Sequence, residues 1–228
     1  MILPNWWKWL IAPGSEPEPG LSGPAAQTAR SWRERPSVDP ADLPGPSAKD
    51  ALIWWLARQD RRELHRVALN WNWDTSTRPL RYIVDRPDCD KGTALTIFFS
   101  GEPEQYASHN LSGPYHRPDY QRYFQEPLKL SDDDFLFEEG LWLLRRISEN
   151  WARGFYRSFD FYPGENAVYW LATRPVEHRL KPADLPWPVP DELCAAVPQG
   201  EVLDTWGYHE GFPVEICDAL DRRPDIHP

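Results

Sequence analysis

Between residues 47 and 99, apolar positions recur at every third and fourth place and are broken by short polar turns. That is the pattern of amphipathic helices. Ser47 precedes the first as an N-cap with Asp50 in its first turn, and Leu52, Trp55 and Leu56 share one face of a helix running to about Arg58. A second helix from about Arg61 puts Leu64, Val67, Ala68 and Trp71 on one stripe. His65 stands beside that stripe and reads as a structural or solvated histidine, not a catalytic one. A third helix starts near Pro79, presents Leu80, Ile83 and Val84, and ends by Arg86-Pro87, since the residue before proline avoids helical geometry. Asp90 is the expected N-cap of a fourth helix, accepting from the backbone N–H of Gly92 or Thr93. Gly92 leaves room there for another element to approach closely, and Leu95, Phe98 and Phe99 supply the buried face.

The pattern then lapses over a polar, tyrosine-rich connection, Ser100 to Lys129, and returns in the clearest helix of the chain. Ser131 caps it, Asp132, Asp133 and Asp134 occupy its first turn, and Phe137, Leu141, Leu144, Ile147 and Trp151 form its stripe up to about Gly154. Beyond it, Phe155 to Tyr162 is aromatic without a period, and Ala167 to Leu171 reads as a buried strand or a helical turn. Pro182 to Pro198 holds five prolines and is expected as loop. Gly207 to Pro213 reads as a turn before a last short helix, Val214 to Leu220. The fold class is therefore mainly α: stacked short helical hairpins, a Pro-rich N-terminal arm, and an irregular C-terminal region with room for a small sheet. No repeat of fixed period is present, only a loose likeness between helix pairs.

Composition divides the chain further. Residues 1–46 are expected to be an extended arm, in which residues 13–46 carry prolines at 13, 17, 19, 24, 36, 40, 44 and 46 and Trp32 as their one large anchor. Residues 47–228 are expected to form a single helical domain: a core at 47–99, the long helix at 131–154, and a tail at 155–228 packed on that core. The opening Met1 to Ala12 is apolar, with Trp6, Trp7 and Trp9, but it is too short to span a bilayer and lacks a basic leader region. Packing on its own domain is the favoured role, and attachment to a membrane interface the weaker one. Thirteen Trp, nine Tyr and nine Phe make the chain unusually aromatic. A net charge of −10 argues against a nucleic-acid surface and suits an encounter with a basic protein. Cys89, Cys194 and Cys217 are odd in number and widely spaced, which fits a reducing cytoplasm and suggests neither a disulfide framework nor a zinc site.

Two motifs stand out where one periodic segment gives way to the next: Asn70-Trp71-Asn72-Trp73-Asp74, and Cys89-Asp90-Lys91-Gly92-Thr93-Ala94-Leu95. On these residues the chain resembles a bacterial family known only as domain of unknown function 4274, which has an Asn-Trp-Asp and a Cys-Asp-x-Gly-Thr-Ala-Leu element at about this separation. The likeness covers roughly residues 47–99, under a quarter of the chain, and departs at Thr75-Ser76-Thr77, where the family tends to have glycine. It implies no catalytic residues. It does imply a small cytosolic bacterial protein, in some members an immunity protein that neutralises a toxin of a polymorphic or type VI secretion system.

The motif residues read first as structure: Asp90 as a cap, Cys89 as a small buried residue whose acidic neighbours raise its thiol pKa. No phosphate-binding glycine loop, nucleophile elbow or His-Glu-x-x-His is present, no cofactor is called for, and nothing demands an enzyme. Exposed aromatics are the better clue to function. Tyr106, Tyr115, Tyr120 and Tyr123, with Glu102, Glu104 and Asp119, would make an acidic, aromatic patch for a basic protein partner, although the same tyrosines would equally pin a long loop onto the helices. The expected function is a non-enzymatic binding module, an immunity factor acting by occlusion. The alternative is a hydrolase or metal-dependent enzyme using Asp74 and Asp90 with His109 or His116.

Overall fold

A computed structural model describes residues 35–45, 47–107 and 136–223, with side chains from residue 139 onward in the last span. The chain divides into two compact units, Met1–Pro36 and Ser37–Pro228. The N-terminal arm up to residue 34, the Ser131 cap with its three aspartates, and most of the tyrosine-rich connection lie outside the described residues. The second unit is mainly helical.

Four short helices follow one another as the periodicity predicts: α1 (Ala48–Leu56), α2 (Arg61–Leu69), α3 (Arg78–Val84) and α4 (Lys91–Ser100). Three are capped by the side chain just before them. Ser47 accepts from the Lys49 N–H, Asp60 from Arg62 and Glu63, and Asp90 from Gly92. The fourth cap is remote. Thr77 makes no capping bond of its own; Glu139, on the long helix α5 (Leu136–Ala152), accepts from the Thr77 N–H at 2.6 Å and from the Ser76 hydroxyl at 2.9 Å. A carboxylate at a helix N-terminus satisfies orphan N–H groups and meets the positive end of the helix dipole.

The packing runs between alternate helices: α1 lies against α3, α2 against α4, and both α3 and α4 against α5. This places α4 at the centre. A single buried face at Leu95, Phe98 and Phe99 was expected, yet every residue from Gly92 to Phe99 is buried. The helix has neighbours on several sides, and its sequence carries almost no charge to keep any face in water. Helix α5 keeps its stripe, with Leu141, Leu144 and Ile147 fully buried and Trp151 partly so. Its end is as expected: Gly154 adopts φ +65°, and the Gly154 and Phe155 N–H groups return to the carbonyls of Trp151 and Asn150.

The chain after Gly154 contributes a large share of the core, with Tyr156, Phe161, Trp170, Leu171, Leu180, Trp187, Leu193 and Ile216 all buried. Ala167 to Leu171 is helical: α6 (Glu165–Val168) packs on α4 and continues into a π-helical turn, Tyr169–Thr173. The proline-rich stretch holds a 3-10 turn (Pro182–Asp184) and a single helical turn, α7 (Asp191–Cys194). A small sheet forms where the turn was expected. β1 (Tyr208–His209) and β2 (Phe212–Pro213) pair antiparallel, joined by Glu210 and Gly211, both at positive φ, and lead into α8 (Val214–Asp221) against α1. The expected arm extended to residue 46, but its last part belongs to this unit: Leu43 is 4% exposed, and Arg222 and Arg223 donate to the carbonyls of Val38, Pro40 and Leu43.

Candidate functional site

The second motif turns inward. Asp90 caps α4 and is wholly buried, and its carboxylate accepts four donors. Oδ1 takes the N–H of Gly92 at 2.8 Å and of Phe161 at 3.3 Å; Oδ2 takes the Ser158 hydroxyl at 2.8 Å and the Asp160 N–H at 2.7 Å. Three of these belong to one extended segment about seventy residues further on, and the Lys91 N–H returns a bond to the Ser158 carbonyl at 2.9 Å. Gly92 permits the contact: a Cβ there would sit 1.9 Å from the Phe161 carbonyl oxygen. The segment is held on its other side by residues 200–201. Glu201 donates its N–H to the Asp160 carbonyl, and its carbonyl accepts from Tyr162. Gly200, at φ +105°, allows the close approach.

His65 belongs to the same buried network. Its Nε2 lies 3.0 Å from the Tyr162 carbonyl and its Nδ1 2.9 Å from the Thr93 hydroxyl. A carbonyl only accepts, so Nε2 carries the proton, Thr93 donates to Nδ1, and the ring is neutral. Burial is the main reason its pKa is lowered to about 4, with the Arg66 charge adding to it. One helical turn on, the Thr96 hydroxyl donates to the Gly92 carbonyl and accepts from the Gly164 N–H at 2.9 Å, which seats the start of α6.

The first motif is a connector. Asn70 donates through its amide to the Arg66 carbonyl, closing α2, and the Asn72 carboxamide accepts from the Asp74 N–H. Trp71 is 6% exposed and stacks on Phe212, and the hairpin lies so close above it that a Cβ on Gly211 would meet its ring at 2.4 Å. Trp73 packs against Gly101 at the end of α4. The hairpin is tied to α2 through Tyr208, which donates to Glu63, while Arg66 pairs with both Glu63 and Asp204.

The residues named from sequence fall into separate places. Asp90 is sealed in the clasp, and Asp74 is exposed in the turn, so these two do not share a surface open to substrate. Cys89 is buried, and its thiol is pushed well above the ordinary range by burial, with Asp90 and Asp88 adding to it; that is the wrong direction for a nucleophile. Among the described residues, no group of His, Cys, Asp and Glu is arranged to hold a metal ion, and no helix is long and apolar enough to cross a membrane. His109, His116, Tyr115, Asp119, Tyr120 and Tyr123 lie outside the described residues. Tyr106 is not a surface tyrosine: it is 6% exposed, edge-on to Trp187, with its hydroxyl over Gly140. Glu102 is exposed at φ +53°, and burial raises the pKa of the half-buried Glu104, with Glu102 adding to the shift.

Residues 59–130 match the family model described as Domain of unknown function (DUF4274). The match covers under a third of the chain and marks a likeness of this segment to that family. No curated protein and no solved structure matches the chain. The DUF4274 segment contains α2, α3, α4 and both motifs; it leaves out α1, although the likeness was drawn from residue 47. It also leaves out what its motifs hold. Ser158, Asp160, Phe161, Tyr162, Gly200 and Gly211 all lie beyond it, as does the Glu139 that caps α3. In this chain the two motifs work as sockets, filled by the residues that follow.

Proposed function

We propose that the protein is a non-enzymatic, cytoplasmic binding module that captures a basic protein, in the manner of a bacterial immunity factor occluding a toxin of a polymorphic or type VI secretion system. The observation that carries this reading is the inward use of the motif chemistry. Asp90, one of the two acids named for the alternative enzyme reading, is itself buried and has both oxygens occupied by four donors. Chemistry committed to holding the chain together leaves recognition to the surface. The net charge of −10 favours a basic partner by steering its approach.

The binding face is assigned to the connection after α4, with exposed Glu102, half-buried Glu104, and Tyr115, Asp119, Tyr120 and Tyr123; Tyr106 serves the core instead. Aromatic and acidic residues together give buried area at small entropy cost and complementary charge. Co-expression with each adjacent open reading frame, read as growth rescue and co-purification, tests the proposal. Rescue from a toxic neighbour with a stable complex is the expected result. Absence of both toxicity and complex for every neighbour overturns it.

A further inference from the structure

A cleft of about 440 Å³ opens beside the π-helical turn, lined by Trp170, Arg174, Arg179 and Lys181 together with Glu104, Glu177, His178 and Asp184. Its volume is within the range of small-molecule pockets and well beyond that of a bare oxyanion. We propose that this cleft binds the phosphate group of a small phosphorylated molecule. The assignment does not rest on the protein-binding role, although Glu104 belongs to both surfaces.

The cations are the reason. Among the described residues, Arg61, Arg62, Arg66, Arg78, Arg86 and Arg146 all have a carboxylate within ion-pair distance. Arg174, Arg179 and Lys181 have none there; Lys49, Arg58, Arg81, Lys91, Arg153, Arg157 and Arg222 have none either, but these three share one cleft. Two of the three are fixed in place. The Arg174 guanidinium lies 3.9 Å over the Trp170 ring. Arg179 donates from Nε to the Arg174 carbonyl at 2.8 Å and from Nη2 to the Ala172 carbonyl at 3.1 Å, bonds that use the carbonyls at the end of the π-helical turn. Single π-helical turns are rare and concentrate at functional sites, because the extra residue re-aims the side chains that follow.

Three carboxylates, Glu104, Glu177 and Asp184, line the same cleft and formally balance its cations, so the placement of the cations, and not net charge, has to favour an anion. Asp184 uses Oδ2 to accept the Lys181 N–H at 2.8 Å, and burial moves the Glu104 carboxyl toward its neutral form. Glu177 stays exposed at the edge. The Arg174 guanidinium, the N–H groups that Arg179 has left and the Lys181 ammonium match the three oxygens of a phosphate monoester. The remaining space, with Trp170 at the wall, takes the organic part.

The test is calorimetric titration of the full-length protein at fixed ionic strength, with ribose 5-phosphate, inorganic phosphate and chloride as probes. Saturable binding of ribose 5-phosphate, tighter than that of inorganic phosphate, is expected. Arg174→Gln and Lys181→Gln should each weaken it about tenfold, the worth of one hydrogen bond to a charged group. Lys181 is exposed, so K181Q should melt like the parent without ligand and keep the test independent of folding. No saturable binding up to about 10 mM, or wild-type affinity in both variants, overturns the site. Equal affinity for inorganic phosphate overturns the assignment to an organic ester.

Discussion

Two regions of this protein use the same kinds of side chain in opposite ways. At the head of α4, one carboxylate is buried without a cation and every lone pair it presents is answered by a donor of the chain. Beside the π-helical turn, three cations face a cleft with no carboxylate of the described residues within ion-pair distance. A polar group satisfied by its own chain supports the fold and has nothing left to offer a ligand. The cleft cations are only partly answered, Arg179 by two main-chain carbonyls and Arg174 by the Trp170 ring, and the donors they have left face water that a ligand can replace. Sequence rarity pointed to the first region, and open chemistry lies in the second.

The sharpest way to break the comparison is Asp90→Ala. It strands four donors, three of them main-chain N–H groups, and should cost about 3–5 kcal/mol in urea unfolding. Asp90→Asn keeps the volume but turns one acceptor into a donor against donors, so it should recover only part of that loss. An Asp90→Ala variant within about 0.5 kcal/mol of the parent would mean the clasp does not hold the tail. Next is acid. His65 is neutral in the fold with its pKa at about 4, below the free value of 6.5, so between these values the unfolded chain binds a proton the folded one does not. The contribution is complete above about pH 6.5 and is lost as pH falls toward 4, by about 3 kcal/mol in all. Denaturant midpoints at pH 7 and pH 4.5 should show most of that fall. His65→Gln should flatten it.

A smaller effect is expected from Glu139→Gln, which keeps one acceptor for the Thr77 N–H, gives the Ser76 hydroxyl an amide donor in place of the other oxygen, and removes the charge at the start of α3, for a loss of about 1 kcal/mol. Lys181→Gln defines the other end of the scale. With no partner to lose, it should leave thermal stability within about 0.5 kcal/mol of the parent while changing what the cleft binds. A large destabilisation there would place Lys181 with Asp90 as a structural residue and erase the contrast between the two regions.

Local rules carried the sequence reading a long way. Ser47 and Asp90 were legible as caps because the signal is a side chain within three residues of its donor, and Gly92 was legible as a place of close approach because only glycine leaves that room. What approaches Gly92 was not legible. Phe155 to Tyr162 lacks a period because part of its backbone is bonded to Asp90, Lys91 and Glu201 instead of to a regular ladder, so its side chains follow no fixed face. The Glu139 cap of α3 was hidden for the same reason: its two halves are 62 residues apart. Tyr106 was misplaced because the polar residues around it mask its burial against Trp187. The cleft escaped notice altogether, since Arg174, Arg179 and Lys181 look in sequence like ordinary surface charges, and only the turn that gathers them shows otherwise.

The order of the clasp along the chain also sets an order in time. A ribosome delivers Asp90 and its helix first, and Asp160 follows 70 residues later, roughly 4–14 seconds at ordinary rates of synthesis. During that interval the Asp90 carboxylate has only the Gly92 N–H of its own helix and water to answer it, and the surface of α4 that will receive α6 is uncovered. The nascent chain is therefore held short of its final packing until the segment at 158–161 emerges and displaces that water. Translation itself acts as a timer, and a message truncated between the two would yield a product whose central helix never closes.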